Sequence, residues 1–275
     1  MAASPLITLN NGIQIPALGL GVYQMPDNNN TLKVLEYAIK IGYRHFDTAM
    51  IYGNERTVGK AATTGIIPRD QIFITSKLWN SDHGYDHAIK AFNESLGRLG
   101  TGYIDLYLIH WPVRGKRKET WRALETLYEE GKCRSIGISN YMAHHIEELL
   151  GYCKVIPAIN QLELHPYIYA NRVETIELCR KHNIMPEAYS PLTRGMKLKD
   201  PMLVRMASRY KKNPAHLLIK WGIQHGFVVI PKSSVTSRVA ENLQVFDFTI
   251  SDDDMQTLNH LNENLATGWD PTDVS

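Results

Sequence analysis

The feature that most constrains this chain is an alternation of period. Short apolar runs of strand length recur along it, each separated from the next by a longer amphipathic stretch of helical period. The apolar runs fall at 18–20, 44–46, 72–76, 104–109, 135–139, 158–162, 185–189 and 228–230. Between them lie helical patterns at 32–41, 55–64, 86–99, 119–130, 142–150, 172–182 and 202–224. The last of these is interrupted at Asn213-Pro214, since proline cannot continue a helix from within but suits the first turn of a new one. After the eighth run, 236–242 and 252–261 predict two further helices, the second opened by a capping arrangement of Ser251 with Asp254. Strand–helix alternation implies a parallel sheet. Eight such units within 275 residues predict a closed (β/α)8 TIM barrel rather than an open sheet. Ahead of the barrel, 6–9 and 13–15 flank Asn10-Asn11-Gly12, a β-hairpin signal, and the hairpin is expected to cover one mouth.

No low-complexity linker divides the chain, so 1–275 reads as one domain. A net charge of +2 gives no reason to expect nucleic acid or a membrane surface as partner. Cys133, Cys153 and Cys179 lack metal-ligand spacing and read as reduced thiols, which with the absence of a leader-like N-terminus or a bilayer-length apolar run predicts a cytoplasmic protein without metal.

Barrel sites form where strands end. The second run leads into Asp47, with Tyr52 behind it. The third leads into Lys77, the fourth into His110 and the fifth into Ser139-Asn140. The sixth carries Gln161, the seventh runs into Tyr189-Ser190, and the eighth into Lys232-Ser233. Four of these residues suit carbonyl reduction, which builds negative charge on an oxygen that must then be protonated. Tyr52 is the candidate proton donor. Lys77 nearby would lower its pKa, Asp47 would hold Lys77 charged and oriented, and His110 would donate to the carbonyl oxygen. Taken singly, each has a plainer reading: a helix cap for Asp47, a surface position for Lys77 or Tyr52, a structural histidine for His110. Their convergence at successive strand ends is what favours chemistry.

The stretches His45-Phe46-Asp47-Thr48-Ala49, Tyr52-Gly53-Asn54-Glu55, Ser76-Lys77-Leu78-Trp79, Leu108-Ile109-His110-Trp111-Pro112, Ile136-Gly137-Ile138-Ser139-Asn140 and Ile230-Pro231-Lys232-Ser233 together resemble the aldo-keto reductases, in order and over nearly the whole chain. The likeness is to the branch of microbial diketogluconate reductases and prostaglandin F synthases. It implies NADPH-dependent reduction of aldehydes and ketones by a monomer acting on small carbonyl compounds, with Tyr52 as acid and Asp47, Lys77 and His110 completing a tetrad. No GxGxxG fingerprint is present, since Gly19-Leu20-Gly21 lacks its third glycine, so the barrel mouth itself must hold the cofactor.

By the same resemblance, Val22 and Asp47 are among the cofactor-binding residues, Ser139, Asn140 and Gln161 bind the carboxamide, and Tyr189 is the platform beneath the nicotinamide ring. Ser190 and Leu192 approach the pyrophosphate. Lys232, Ser233 and Arg238 grip the 2′-phosphate, and Glu241 and Asn242 the adenine. Tyr23, Trp79, His110 and Trp111 line the substrate site, and Trp269 in the tail is a candidate to close it. Thr193-Arg194-Gly195 departs from the pattern of many relatives, leaving Arg194 open to a phosphate contact or to water. The basic loop Arg114-Gly115-Lys116-Arg117-Lys118 reads as a solvated helix entrance or as an attractor of acidic substrates. Two rival readings are a Schiff-base aldolase using Lys77, and an NADPH-binding regulatory or structural barrel with little turnover.

Overall fold

The computed structural model describes residues 4–274. Strands β1 (Leu6–Thr8) and β2 (Gln14–Pro16) form the expected hairpin, pairing Leu6 with Pro16. The barrel strands are β3 (Leu20–Gly21), β4 (His45–Asp47), β5 (Phe73–Leu78), β6 (Ile104–Ile109), β7 (Cys133–Ser139), β8 (Ile159–Glu163), β9 (Met185–Tyr189) and β10 (Val228–Val229). They pair in chain order, every pair parallel. Parallel bridges Leu18↔Val229 and Gly21↔Lys232 join the last strand to the first. The sheet is thereby closed, and no edge is left to pair with another chain.

The strands read as continuous apolar runs because both faces are buried. In β6, Leu106 and Leu108 point into the barrel, while Tyr107 and Ile109 pack outward under the helices. The inward cluster takes in Leu9 and Ile15 of the hairpin region with Phe73, Ala158 and Val228, all at or next to strand starts. The hairpin therefore plugs the mouth opposite the strand ends, leaving those ends free to build a site.

Helix boundaries follow capping chemistry more than periodicity. Helix α1 (Asn29–Ile41) begins three residues before its first apolar position, because the Asn28 side chain accepts from Asn30 N and Thr31 N, each at 3.0 Å. The interruption at Asn213-Pro214 separates α7 (Pro201–Arg209) from α8 (Pro214–Gln224). Asn213 Oδ1 accepts from His216 N, and Asn213 N donates back to His216 Nδ1. The two helices after the barrel are α9 (Thr236–Asn242) and α10 (Asp252–Asn259). Gly59, in α2 (Glu55–Ala62), sets the approach of that helix to α3 (Tyr85–Leu99): a Cβ there would stand 1.8 Å from the Leu99 carbonyl oxygen. No helix among the described residues is long and apolar enough to cross a membrane.

Candidate active site

Parallel register carries the polar positions to one level. Gly21 is level with Asp47, Lys77 with Leu108, Ser139 with Gln161, and Gln161 with Glu187. Asp47 ends β4, Lys77 lies within β5, and His110 immediately follows β6. Tyr52 is brought in by a single 3-10 turn, Met50–Tyr52. Asn54, just beyond, anchors that segment by donating to the carbonyl oxygens of Val22 and Met25.

At the centre is a buried ion pair. Lys77 Nζ donates to Asp47 Oδ1 at 2.7 Å, to Asp47 Oδ2 at 2.8 Å and to the Thr48 carbonyl oxygen at 2.9 Å. All three ammonium hydrogens are thus committed. The ammonium also sits 5.0 Å from the centre of the Tyr52 ring, over its face. Tyr52 packs at 5.0 Å from Tyr23 and 5.8 Å from His110, and Trp79 lies 5.2 Å from His110. Gln161 Nε2 donates both to Asp47 Oδ2 at 2.8 Å and to Glu187 Oε2 at 2.9 Å, bridging two carboxylates. A second chain runs beside it: Tyr189 Oη donates to Asn140 Oδ1 at 2.9 Å, Asn140 Nδ2 to Ser139 Oγ at 3.1 Å, and Ser139 Oγ to the Gln161 carbonyl oxygen at 2.9 Å.

Burial and the nearby Lys77 charge hold the His110 pKa well below its ordinary value, so its imidazole is neutral around pH 7. Its Nδ1 is buried without a partner. The Tyr52 pKa departs from expectation. Burial first, then the Asp47 carboxylate and Tyr23, push it well above 10, and Arg194 opposes them. The lowering expected from Lys77 does not prevail: burial dominates, and the ammonium is spent on Asp47 and Thr48 with no hydrogen bond to the Tyr52 hydroxyl.

These groups form the deep end of one cleft of about 1020 Å³. Tyr23, Asp47, Tyr52, Trp79, His110, Trp111, Ser139, Asn140, Gln161 and Tyr189 line it there. It continues past Ser190, Leu192 and Arg194 to Lys232, Ser233, Arg238, Glu241 and Asn242. The C-terminal tail borders it. Glu163 accepts from Thr267 N and from the Thr267 hydroxyl, Arg172 Nη2 donates to Asp270 Oδ1 at 2.8 Å, and Trp269 is held 5.7 Å from Trp111.

The family model for the aldo/keto reductase family matches residues 17–263. The chain belongs to the aldo/keto reductase family. Among curated relatives, the uncharacterized oxidoreductase YtbE of Bacillus subtilis is 47% identical, the match covering 96% of this chain and 95% of that protein. The glyoxal reductase of the same organism is 43% identical over 98% of this chain and 96% of its own. Among solved structures, the NADPH complex of a Gox0644 variant superposes with a TM-score of 0.93 at 39% identity, covering 100% of both chains.

In this aldo/keto reductase, two of the anticipated site residues do not line the cleft. Val22 is fully buried in the core, its backbone bound to Asp47 O and Asn54 Nδ2 while its side chain turns from the cleft; only its neighbours Gly21 and Tyr23 reach it. Lys77 is fully buried behind the cleft wall, hydrogen-bonded to Asp47 and set over the face of the Tyr52 ring. The basic loop is also away from the cleft. Arg117 is buried, pairing with Glu148 at 3.1 Å, while Arg114, Lys116 and Lys118 are exposed.

Glu187 is the functional neighbour that sequence reasoning missed. The available signal was its position in β9, two residues before Tyr189 and therefore on the same face of the strand. Burial first, then the Asp47 charge, raise its pKa from 4.5 to about 8, while Gln161 and Lys77 act the other way. The folded protein thus keeps a proton that the unfolded chain releases, and Glu187 makes stability fall as pH rises from 4.5 toward about 8. Replacing Glu187 with Gln keeps an acceptor for Gln161 but nothing to titrate. Urea unfolding at about pH 5.5 and about pH 7.5 should show the parent losing on the order of 2–3 kcal/mol relative to Glu187→Gln. Parallel stability profiles for the two proteins would contradict a protonated Glu187.

Proposed function

We propose that this reductase converts aldehydes and ketones to alcohols with NADPH, Tyr52 giving the proton and His110 orienting the carbonyl. The observation that carries the reading is the single cleft: Tyr52 and His110 stand together beside the Asp47–Lys77 pair at one end, and two cations without ion-pair partners among the described residues, Lys232 and Arg238, stand at the other. The similarity to a glyoxal reductase and to an NADPH-bound neighbour supports it.

The cleft's donors and acceptors fit the cofactor. Around Tyr189, the Asn140 and Gln161 amide hydrogens and the Ser139 hydroxyl are already bound to protein acceptors. What remains there is acceptor capacity, led by Gln161 Oε1, which suits the NH2 of a carboxamide. Tyr189, tied to Asn140, offers a fixed ring face. Ser190 and Leu192 flank the middle, Lys232, Ser233 and Arg238 suit a phosphate monoester, and Glu241 and Asn242 border the far end. Bound NADPH supplies the hydride.

The protein's own part is positioning and proton supply. Neutral His110 donates a hydrogen bond to the substrate oxygen and draws the carbonyl toward Tyr52. The high Tyr52 pKa keeps its proton in place until an alkoxide forms, and an alkoxide is a stronger base than a phenolate. The tyrosinate left behind lies under the Lys77 ammonium. Tyr23, Trp79 and Trp111 wall the space in front with apolar surface. Lys77 has no free lone pair for a Schiff base while its ammonium is locked by three hydrogen bonds, which disfavours the aldolase reading. The paired residues within reach of one another favour turnover over a merely cofactor-binding barrel.

Tyr52→Phe removes only the proton donor. Its kcat for a neutral aldehyde should fall by about a hundredfold or more, with NADPH Kd little changed; near-parental turnover would remove Tyr52 from the acid role. At the other end, replacing both Lys232 and Arg238 with Gln should weaken NADPH about tenfold or more, the scale of charge-assisted bonds at exposed side chains. NADH, lacking the extra phosphate, should be nearly unaffected, and the parent's preference should shrink with salt. Titration calorimetry with both cofactors reads this directly. Equal losses for NADH and NADPH would assign the two side chains to a shared part of the cofactor.

A further inference from the structure

Resting on the carbonyl-reductase reading, we infer that Arg194 is a specificity-determining residue that selects carbonyl substrates carrying a carboxylate. Five charged side chains line the cleft: Asp47, Arg194, Lys232, Arg238 and Glu241. Asp47 is neutralised by Lys77. Lys232, Arg238 and Glu241 belong to the turn and helix after β10, the far end. Arg194 is the cation near the chemistry, and it makes no ion pair or side-chain hydrogen bond among the described residues.

Its neighbours place it on the substrate side. The guanidinium carbon lies 5.8 Å from the centre of the Tyr23 ring, and Tyr23 lies 5.0 Å from Tyr52. These two spacings laid end to end are the upper limit on the distance from Arg194 to the Tyr52 ring. A benzenoid carbonyl acid fits within that limit with its carbonyl at Tyr52 and its carboxylate at the guanidinium. On the other side, a Cβ at Gly268 would stand 3.2 Å from Arg194 Nη2, so the tail touches the guanidinium next to Trp269, which itself faces Trp111. Tyr23, Trp111 and Trp269 are walls of the space in front of Tyr52 and His110. The Arg194 charge also reaches the chemistry, acting to lower the Tyr52 pKa against burial.

The side chain is presented by a fixed loop. Ser190, Thr193 and Arg194 take left-handed backbone angles, with φ of 48°, 50° and 49°. Such residues persist only where the surroundings hold them. Here Thr193 is fully buried, its N–H donates to Ser190 O at 2.9 Å, and Gly195 N donates to Leu192 O at 2.7 Å. A planar guanidinium with unspent donors matches a carboxylate in two-pronged geometry.

The test compares para-carboxybenzaldehyde with its neutral methyl ester in the parent, Arg194→Gln and Arg194→Lys, alongside NADPH Kd for each protein. The ratio of kcat/KM for acid over ester should drop about tenfold in Arg194→Gln, the scale of one charge-assisted contact at a solvated rim. Lysine should restore part of it, and the parent's ratio should fall as salt rises. An unchanged ratio overturns the inference. So does an equal loss on both compounds accompanied by a weaker NADPH Kd, which would assign Arg194 to the cofactor. A parent that turns over the ester with no dependence on Arg194 for the acid sinks this inference alone. A parent inert toward both compounds overturns the reductase reading and the inference with it.

Discussion

Two opposite charges buried at the end of a barrel are the constraint around which the site is arranged. Taking Asp47 and Lys77 out of water costs several kcal/mol per ion. The cost is offset only because neither is left short of partners. Lys77 spends all three hydrogens on Asp47 and Thr48, and Asp47 Oδ2 also accepts from Gln161. That requirement fixes the Gln161 amide, and Gln161 then reaches Glu187, whose pKa burial first and the Asp47 carboxylate second push up to about 8. Burial first, and then the same Lys77 charge, keep His110 neutral. Protonation states across the centre thus follow from burial together with one ion pair.

Around this centre the cleft is graded. Its deep end is aromatic and nearly neutral, which suits a carbonyl carbon receiving hydride. Its far end is cationic, which suits a phosphate. The tail joins the two regimes through contacts made far along the chain, Glu163 with Thr267 and Arg172 with Asp270, and these bring Trp269 and Gly268 to the rim beside Trp111 and Arg194. The rim is where substrate choice can vary without disturbing the buried pair.

The barrel was legible from periodicity because parallel strands buried on both faces read as apolar runs, and the runs at 104–109 and 185–189 coincide with β6 and β9. Boundaries were less legible where hydrogen bonding overrides pattern: Asn28 starts α1 early, and β10 stops at Val229 so that the chain can turn toward Lys232. Strand-end residues were legible as a site because topology sends them all to one mouth. Orientation was not. Val22 and Tyr23 are adjacent, yet one is core and the other wall, which depends on how the chain leaves β3. The sign of the Tyr52 shift was hidden for a similar reason, since it turns first on how deeply the hydroxyl is buried, while Lys77 spends its donors elsewhere. Contacts such as Glu163 with Thr267, separated by 104 positions, leave no local pattern at all.

The proposed reduction requires the Asp47–Lys77 pair to sustain proton donation from Tyr52. The most direct measurement is the pre-steady-state rate of NADPH oxidation with a neutral aldehyde in Lys77→Met, alongside circular dichroism and NADPH Kd to establish that the variant is folded and loaded. With Lys77 gone, the cation over the Tyr52 ring is lost and Asp47 loses its ion-pair partner, so the chemical step should slow by about a hundredfold or more while NADPH still binds. A folded, NADPH-binding Lys77→Met protein that reduces the aldehyde at the parental rate would contradict the account.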